Sequence, residues 1–307
     1  MSPRESSQGP ECNDMNGQDP LLRLEGASVF RGRNLVLENL DFKVHSNELI
    51  LLTGPNGGGK STLLQSLAGL HPLNRGELFH EDTKIRDSDG RHAMSGGIIG
   101  WCPQSAGSTA CSTVEEHLRT ALQLYGRSFT SEGETDTLVE WGLDHRRHDR
   151  VANLSGGLRR RLEVASAIAI GDASPNPIAI LLDEPSVGLD EKGMETLIAS
   201  IERLQKSGHT IIIATHDPSI KSLQKDDCET IIHGDITIQK SRVDETENRP
   251  IRESNIERKA SILRWNFRLD LREMATPSAR WIPGLLAFGI LLGSGLIDAE
   301  IPHLGLA

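Results

Sequence analysis

The run GPNGGGKST, Gly54 to Thr62, packs four glycines, a lysine, a serine and a threonine into nine residues. A turn needs one or two glycines. The spacing of Gly54, four residues, then Gly59-Lys60-Ser61 is instead that of a phosphate-binding loop. Across Gly54, Pro55, Asn56, Gly57, Gly58 and Gly59 the glycines would let backbone N–H groups crowd an anion with no Cβ in the way. A helix opening at Lys60 and read to Leu70 would aim its positive end at the same charge. Lys60 would reach the β/γ-phosphates, the Ser61 hydroxyl would ligate Mg²⁺, and Thr62 closes the motif.

Two further stretches carry chemistry of a matching kind. IAILLDEP ends an apolar run on Asp183, placed to hold Mg²⁺ through water, and Glu184 follows directly. A carboxylate there can take a proton from an attacking water. NLSGGLRRRLEVASAI sets Ser155, Gly156 and Gly157 at a helix start. This reads either as a second anion site built of free N–H groups or as a plain N-cap by Ser155.

These groups must be positioned by elements legible in the pattern. LRLEGASVF and NLVLENLDFKV read as strands. ELILLTG is an almost unbroken apolar strand, as a parallel sheet covered on both faces requires, and IAILLDEP and HTIIIATHD are two more. GIIGWCPQ reads as a strand and ETIIHGDITIQK as two short strands around a Gly-Asp turn. Residues 112–170 read as mostly helical, with Ser112 and Glu115 spaced as a capping box. Strands alternating with helices imply a doubly wound α/β core over residues 21–240.

In combination and in this order, the motifs resemble those of ATP-binding-cassette (ABC) ATPases, over about Leu21 to Lys240. The resemblance implies an α/β P-loop NTPase fold of ABC type: a RecA-like core, an antiparallel β edge and a helical subdomain. It implies ATP and Mg²⁺ as ligands. By it, Gly54 to Thr62 is the Walker A motif, Ile178 to Asp183 the Walker B motif, and Glu184 the catalytic carboxylate. Gln104 in WCPQ matches the Q-loop glutamine, a ligand of Mg²⁺ and water, and His216 in ATHD the switch histidine. Ser155, Gly156 and Gly157 match the signature motif, Asp190 closes a D-loop, and Phe30 lies where an aromatic stacks on adenine. The signature departs from the family at Leu158, where a glutamine is usual. The resemblance further implies head-to-tail pairing, each ATP lying between the Walker A of one cassette and Ser155-Gly156-Gly157 of the other.

The rest of the chain says what such a cycle would drive. Net charge is −10 over 307 residues, which argues against an extended nucleic-acid surface. Cys12, Cys102, Cys111 and Cys228 form no close pair, fitting a reducing cytosol rather than a disulfide framework or zinc site. His145 and His148 flank two arginines and read as solvated surface. Residues 1–20 are polar, lack the apolar core of a signal peptide and read as disordered. Residues 241–260 are charged and read as a linker.

In residues 261–307, Arg264, Arg268 and Arg272 fall at i, i+4 spacing. Residues 258–280 hold six basic and two acidic groups, as a helix on an anionic cytoplasmic membrane surface would. Trp281 to Ile297 then carries no charge for seventeen residues, the short limit of a membrane span. A core helix is the alternative. The tail resembles the opening of the membrane subunit of heme exporters in cytochrome c maturation, and residues 21–240 resemble the small cassette ATPase that partners it.

The expectation is therefore the ATP-hydrolysing subunit of an exporter, at the cytoplasmic face of the cell membrane. Its partners would be a second cassette and permease subunits, its cargo heme. Competing expectations are an exporter ATPase for a drug, lipid or polysaccharide, a soluble ABC protein acting on ribosomes or DNA, and a non-catalytic nucleotide-binding scaffold.

Overall fold

The computed structural model describes residues 19–89, 97–104, 111–128, 130–224 and 228–242. It begins with β1 (Leu22–Arg31), β2 (Asn34–Val44) and β3 (Glu48–Thr53), then α1 (Lys60–Leu67), β4 (Arg75–His80), β5 (Thr83–Asp87) and β6 (Ile99–Cys102). Three helices follow, α2 (Val114–Leu124), α3 (Ser131–Glu140) and α4 (Gly156–Asp172). The chain then runs through β7 (Ala179–Asp183), α5 (Glu191–Lys206), β8 (Thr210–Ala214), α6 (Pro218–Lys221), β9 (Glu229–His233) and β10 (Ile236–Arg242).

One sheet has the order β6-β7-β8-β3-β10-β9. Its first four strands run parallel, and β10 joins β3 antiparallel. β7 and β8 are buried at every position, and their side chains divide between two apolar layers, as period-two geometry demands. Leu49, Leu51, Ile180, Leu182, Ile211 and Ile213 face a core shared with α2, α4 and α5. Ile50, Leu52, Ala179, Leu181, Ile212 and Ala214 face a second core shared with α1 and the other sheet. Each strand is thus apolar on both faces because each face is covered. α5 buries Leu197, Ile201 and Leu204 on one stripe.

The second sheet, β2-β1-β4-β5, is antiparallel throughout and contains two strands that the sequence reading leaves out. β4 and β5 form a hairpin with His80 paired to Thr83, turning on Glu81 at φ 51°. A glutamate in left-handed backbone gives no Asn-Gly or Asp-Gly signal. Three other boundaries also differ. α1 ends at Leu67 rather than Leu70, because Gly69 adopts φ 69°. β10 runs to Arg242, two residues into the expected linker, where Arg242 pairs with Glu48. The capping box of α2 sits one residue later than Ser112–Glu115. The Thr113 hydroxyl accepts from the Glu116 N–H, and the Glu116 carboxylate accepts from the Thr113 N–H at 2.8 Å.

Backbone and hydroxyl hydrogen bonds from Thr113 hold the Glu116 carboxyl below its ordinary range. That contribution to stability is present above the ordinary carboxylate value and lost as pH falls through the depressed one. Thr113→Ala should lower stability by about 1 kcal/mol, read as a denaturant midpoint. An unchanged midpoint would remove the cap from the argument.

Among the described residues no helix is long and apolar enough to cross a membrane. Almost all of the expected disordered start and of the expected linker, and the whole amphipathic-plus-apolar tail, lie outside the described residues.

Candidate active site

Four loops leave the parallel strands at their carboxyl ends, the edge where open α/β sheets gather ligands. Gly54 follows β3, Pro103 and Gln104 follow β6, Glu184 follows β7, and Thr215 and His216 follow β8. The spacing along the chain exceeds one hundred residues, yet parallel pairing of β6, β7, β8 and β3 brings all four together.

The loop from Gly54 to Gly59 needs its glycines. Gly54 has φ 134°, and a Cβ there would stand 2.2 Å from the Asp235 carbonyl oxygen; Gly59 has φ 102°, and its Cβ would meet Val36 at 2.9 Å. Gly59 is also the N-cap of α1 and offers no side-chain acceptor, and no acidic residue occupies the first turn. The other described α-helices each carry a capping side chain: Thr113, Thr130, Ser155, Asp190 and Asp217. The start of α1 is therefore left for an external anion.

Lys60 is 6% exposed. Its ammonium donates to the Gly54 and Pro55 carbonyl oxygens at 2.9 and 3.0 Å and lies 3.0 Å from His216 Nε2. Burial lowers its pKa, and the charges of Glu184 and Asp183 oppose that shift. An ammonium can only donate, so Nε2 accepts from Lys60 in this contact, and the same Nε2 lies 3.4 Å from Glu184 Oε1. The Glu184 carboxylate is also 3.4 Å from the His216 N–H.

Asp183 is 1% exposed. Its Oδ1 accepts from the Ser61 hydroxyl at 3.0 Å, while its Oδ2 is buried with no partner. Burial raises the Asp183 pKa, against the Ser61 hydrogen bond and the charges of Arg160 and Lys60. An orphaned carboxylate oxygen is costly and suits a cation. With the Ser61 hydroxyl and the Gln104 amide the donors are all oxygen, the set a hard divalent ion such as Mg²⁺ takes. The residues fit that ion.

Glu184 holds φ 47°, a conformation that costs a non-glycine residue about 1–3 kcal/mol. Its N–H donates to the Ala214 carbonyl at 2.9 Å, and its own carbonyl accepts from Arg160. Arg160, 6% exposed on α4, is a residue sequence reasoning missed. The run Arg159-Arg160-Arg161 carries no signal of which members are buried, and the packing of α4 against β6 and β7 turns Arg160 and Arg161 inward, at 6% and 9% exposure.

Lys60, Ser61, Gln104 and Glu184 line a cavity of about 790 Å³ together with Arg31, Leu35, Val36, Glu38 and the turn His233-Gly234-Asp235; Asp183 and His216 are not in that lining and meet it through Ser61 and Lys60. Asn56, Gly57, Gly58, Gly59, Lys60, Ser61, Thr62, Gln104 and Glu184 lie in its wall. The β9–β10 turn, legible only as a turn, thus forms part of the site's wall. Phe30 is not in that wall. It is 41% exposed, its N–H donates to Asn74, and the nearby apolar lining is Leu35 and Val36.

The remaining expected residues lie elsewhere. Ser155, Gly156 and Gly157 do not line the cavity, and the Ser155 hydroxyl caps α4 by accepting from the Leu158 N–H at 3.3 Å. Gly156 faces open space. Asp190 also stands outside it: its carboxylate caps α5 through the Gly193 N–H and pairs with Arg161. In this chain Asp190 joins α5 to α4 and touches no group of the cavity's wall.

A family model described as ABC transporter matches residues 37–187. The lipopolysaccharide export system ATP-binding protein LptB of Escherichia coli (strain K12) is 33% identical over 194 residues, which cover 62% of this chain and 78% of that protein. The cytochrome c biogenesis ATP-binding export protein CcmA of Hahella chejuensis is 32% identical over 202 residues, covering 66% of this chain and 92% of that protein. A solved ATP-binding subunit of an ABC transporter superposes with a TM-score of 0.58 at 26% identity, covering 70% of this chain and 86% of its own.

Proposed function

This chain belongs to the ABC transporter family as an ATP-binding, ATP-hydrolysing ATPase, and from that premise we propose that it powers an exporter as one of two head-to-tail cassettes. The observation that carries the reading is the contact of Lys60 with His216, of Ser61 with Asp183 and of His216 with Glu184 at the carboxyl ends of three parallel strands, beside the cavity that Lys60, Ser61 and Glu184 line. In this reading Lys60 and the uncapped start of α1 hold the phosphates. Ser61, Asp183 and Gln104 would hold Mg²⁺, which neutralises phosphate charge when bound. Glu184 takes the proton from the attacking water, and His216 reports the γ-phosphate. Ser155, Gly156 and Gly157 lie outside the cavity of their own chain, as a motif that serves a partner's nucleotide requires. The domain reading keeps residues 21–240, extended to Arg242 by β10, as the cassette, with residues 261–297 as the membrane attachment.

For cargo we favour heme in cytochrome c maturation. The support is the tail's resemblance to a heme-exporter membrane subunit and the likeness to CcmA over 92% of that protein. A lipid or polysaccharide cargo is the second reading, supported by the equal likeness to LptB. Deleting the gene in its native cell separates them. Loss of heme-stained c-type cytochromes, restored by the wild-type gene and not by Glu184→Gln, is the expected result. Intact cytochromes with altered surface lipid would favour the second reading.

The attachment has its own test. Burying seventeen mostly apolar residues is worth on the order of 10 kcal/mol, against about 1 kcal/mol for each basic residue at the surface. The full chain should therefore stay with membranes through high-salt and carbonate washes, and a chain ending at Arg242 should not. A full chain that remains soluble and monodisperse without detergent would end the membrane reading.

A further inference from the structure

Arg160 occupies a junction that the site's known chemistry does not require. From the second turn of α4 its Nη2 donates to the carbonyl oxygens of both Asp183 and Glu184 at 2.9 Å. Its Nη1 donates to the Pro103 carbonyl at 2.6 Å, immediately before Gln104, and lies 3.3 Å from Glu163 Oε2. Both side chains of that ion pair are under a tenth exposed. One guanidinium thus fastens three backbone carbonyls from two loops of the site to the helix that begins at Ser155. A planar fork can bridge several acceptors at fixed angles; an ammonium on a flexible stem cannot.

What it fastens is the strained point. Glu184 sits in left-handed backbone at φ 47°. Its peptide is held from one side by the Ala214 carbonyl and from the other by Arg160. Such a conformation persists only where its surroundings over-determine it. The side chain leaves that same residue toward His216 and the cavity. A change in the Glu184 backbone therefore re-aims its carboxylate.

We propose that Arg160 is a positioning residue: by clamping the Asp183, Glu184 and Pro103 carbonyls to α4, it sets the direction of the Glu184 carboxylate for attack by water. This rests on the reading of Glu184 as general base. Arg160 touches no reacting atom in that scheme, so its loss acts on turnover and leaves nucleotide affinity nearly untouched.

The test uses the purified full-length chain with Mg-ATP. Arg160→Met keeps the bulk of the stem and removes all three donations; Arg160→Lys keeps the charge and one point of contact. A displacement of about 1 Å in a reacting group can cost up to about 100-fold. Arg160→Met should therefore lower kcat about 10- to 100-fold, with KM and fluorescent-ATP affinity within about twofold of wild type. Arg160→Lys should fall between.

A double variant with Glu184→Gln should turn over no more slowly than Glu184→Gln alone, because the two changes act through one group. Wild-type kcat in Arg160→Met would overturn the proposal. So would a parallel loss of kcat and ATP affinity, or a further multiplicative loss in the double variant. If Arg160→Met does not fold, Arg160→Lys decides: unchanged kcat overturns the proposal, and reduced kcat with intact binding supports it. Glu184→Gln in the same assay tests the general-base reading separately, since wild-type turnover there defeats that reading whatever Arg160 shows.

Discussion

Glu184→Gln should bind ATP as tightly as the wild-type chain, hydrolyse it about 10²- to 10⁴-fold more slowly, and accumulate as an ATP-bound dimer. Glu184 is 7% exposed, and its carboxylate approaches both the His216 ring and its backbone N–H at 3.4 Å. Glutamine has the same shape and can still accept from that N–H, so the loop keeps its form. What it lacks is basicity, and an attacking water then has nowhere to leave its proton. Since opening of the paired cassettes follows hydrolysis in this scheme, a chain that binds but does not hydrolyse should remain closed. Phosphate release gives the first quantity and size-exclusion chromatography with Mg-ATP the second. Normal turnover would remove Glu184 from the role of base. A variant that never dimerises under conditions where wild type does so transiently would break the link between binding and closure.

How much of this site the sequence carried depends on which physical signal each residue leaves. ELILLT, AILLD and TIIIA are apolar on both faces because both are covered, so three of the four parallel strands were legible from composition alone. Walker-type spacing was legible because a phosphate loop needs glycine where a Cβ would strike Asp235 or Val36, and few other demands produce that pattern. The hairpin of β4 and β5 left no comparable mark. It turns on Glu81, and its strands mix charged and apolar residues without a turn dipeptide. Arg160 was invisible for a different reason. Three consecutive arginines carry no mark of which one turns inward, and the placement of α4 against β6 and β7 takes Arg160 to 6% and Arg161 to 9% exposure. Asp190 shows the converse. Its motif is legible, but spacing does not reveal that the carboxylate also caps α5 and pairs with Arg161.

Lys60→Met should weaken ATP binding about 10- to 100-fold and leave no measurable turnover. Before nucleotide arrives, the ammonium is satisfied by the Gly54 and Pro55 carbonyls and faces His216. Burial opposes its charge and lowers its pKa, while Glu184 and Asp183 act the other way. A phosphate oxygen offers this desolvated cation a stronger acceptor than a neutral carbonyl does. Losing one charge-assisted contact in a buried site is worth about 1.5–3 kcal/mol, or up to about 100-fold in affinity. The same charge would meet the negative charge that builds on the transferred phosphoryl group, where loss of one such stabilising contact costs about 10²–10³ in rate. The two losses compound, so turnover falls further than binding. Methionine keeps the aliphatic stem packed in the loop, and a thermal melt of the nucleotide-free chain checks that the fold survives. Fluorescent-nucleotide titration and phosphate release then read binding and rate. Wild-type turnover in a folded Lys60→Met chain would refute the assignment of this loop as the phosphate site, and with it the reading of the whole cavity.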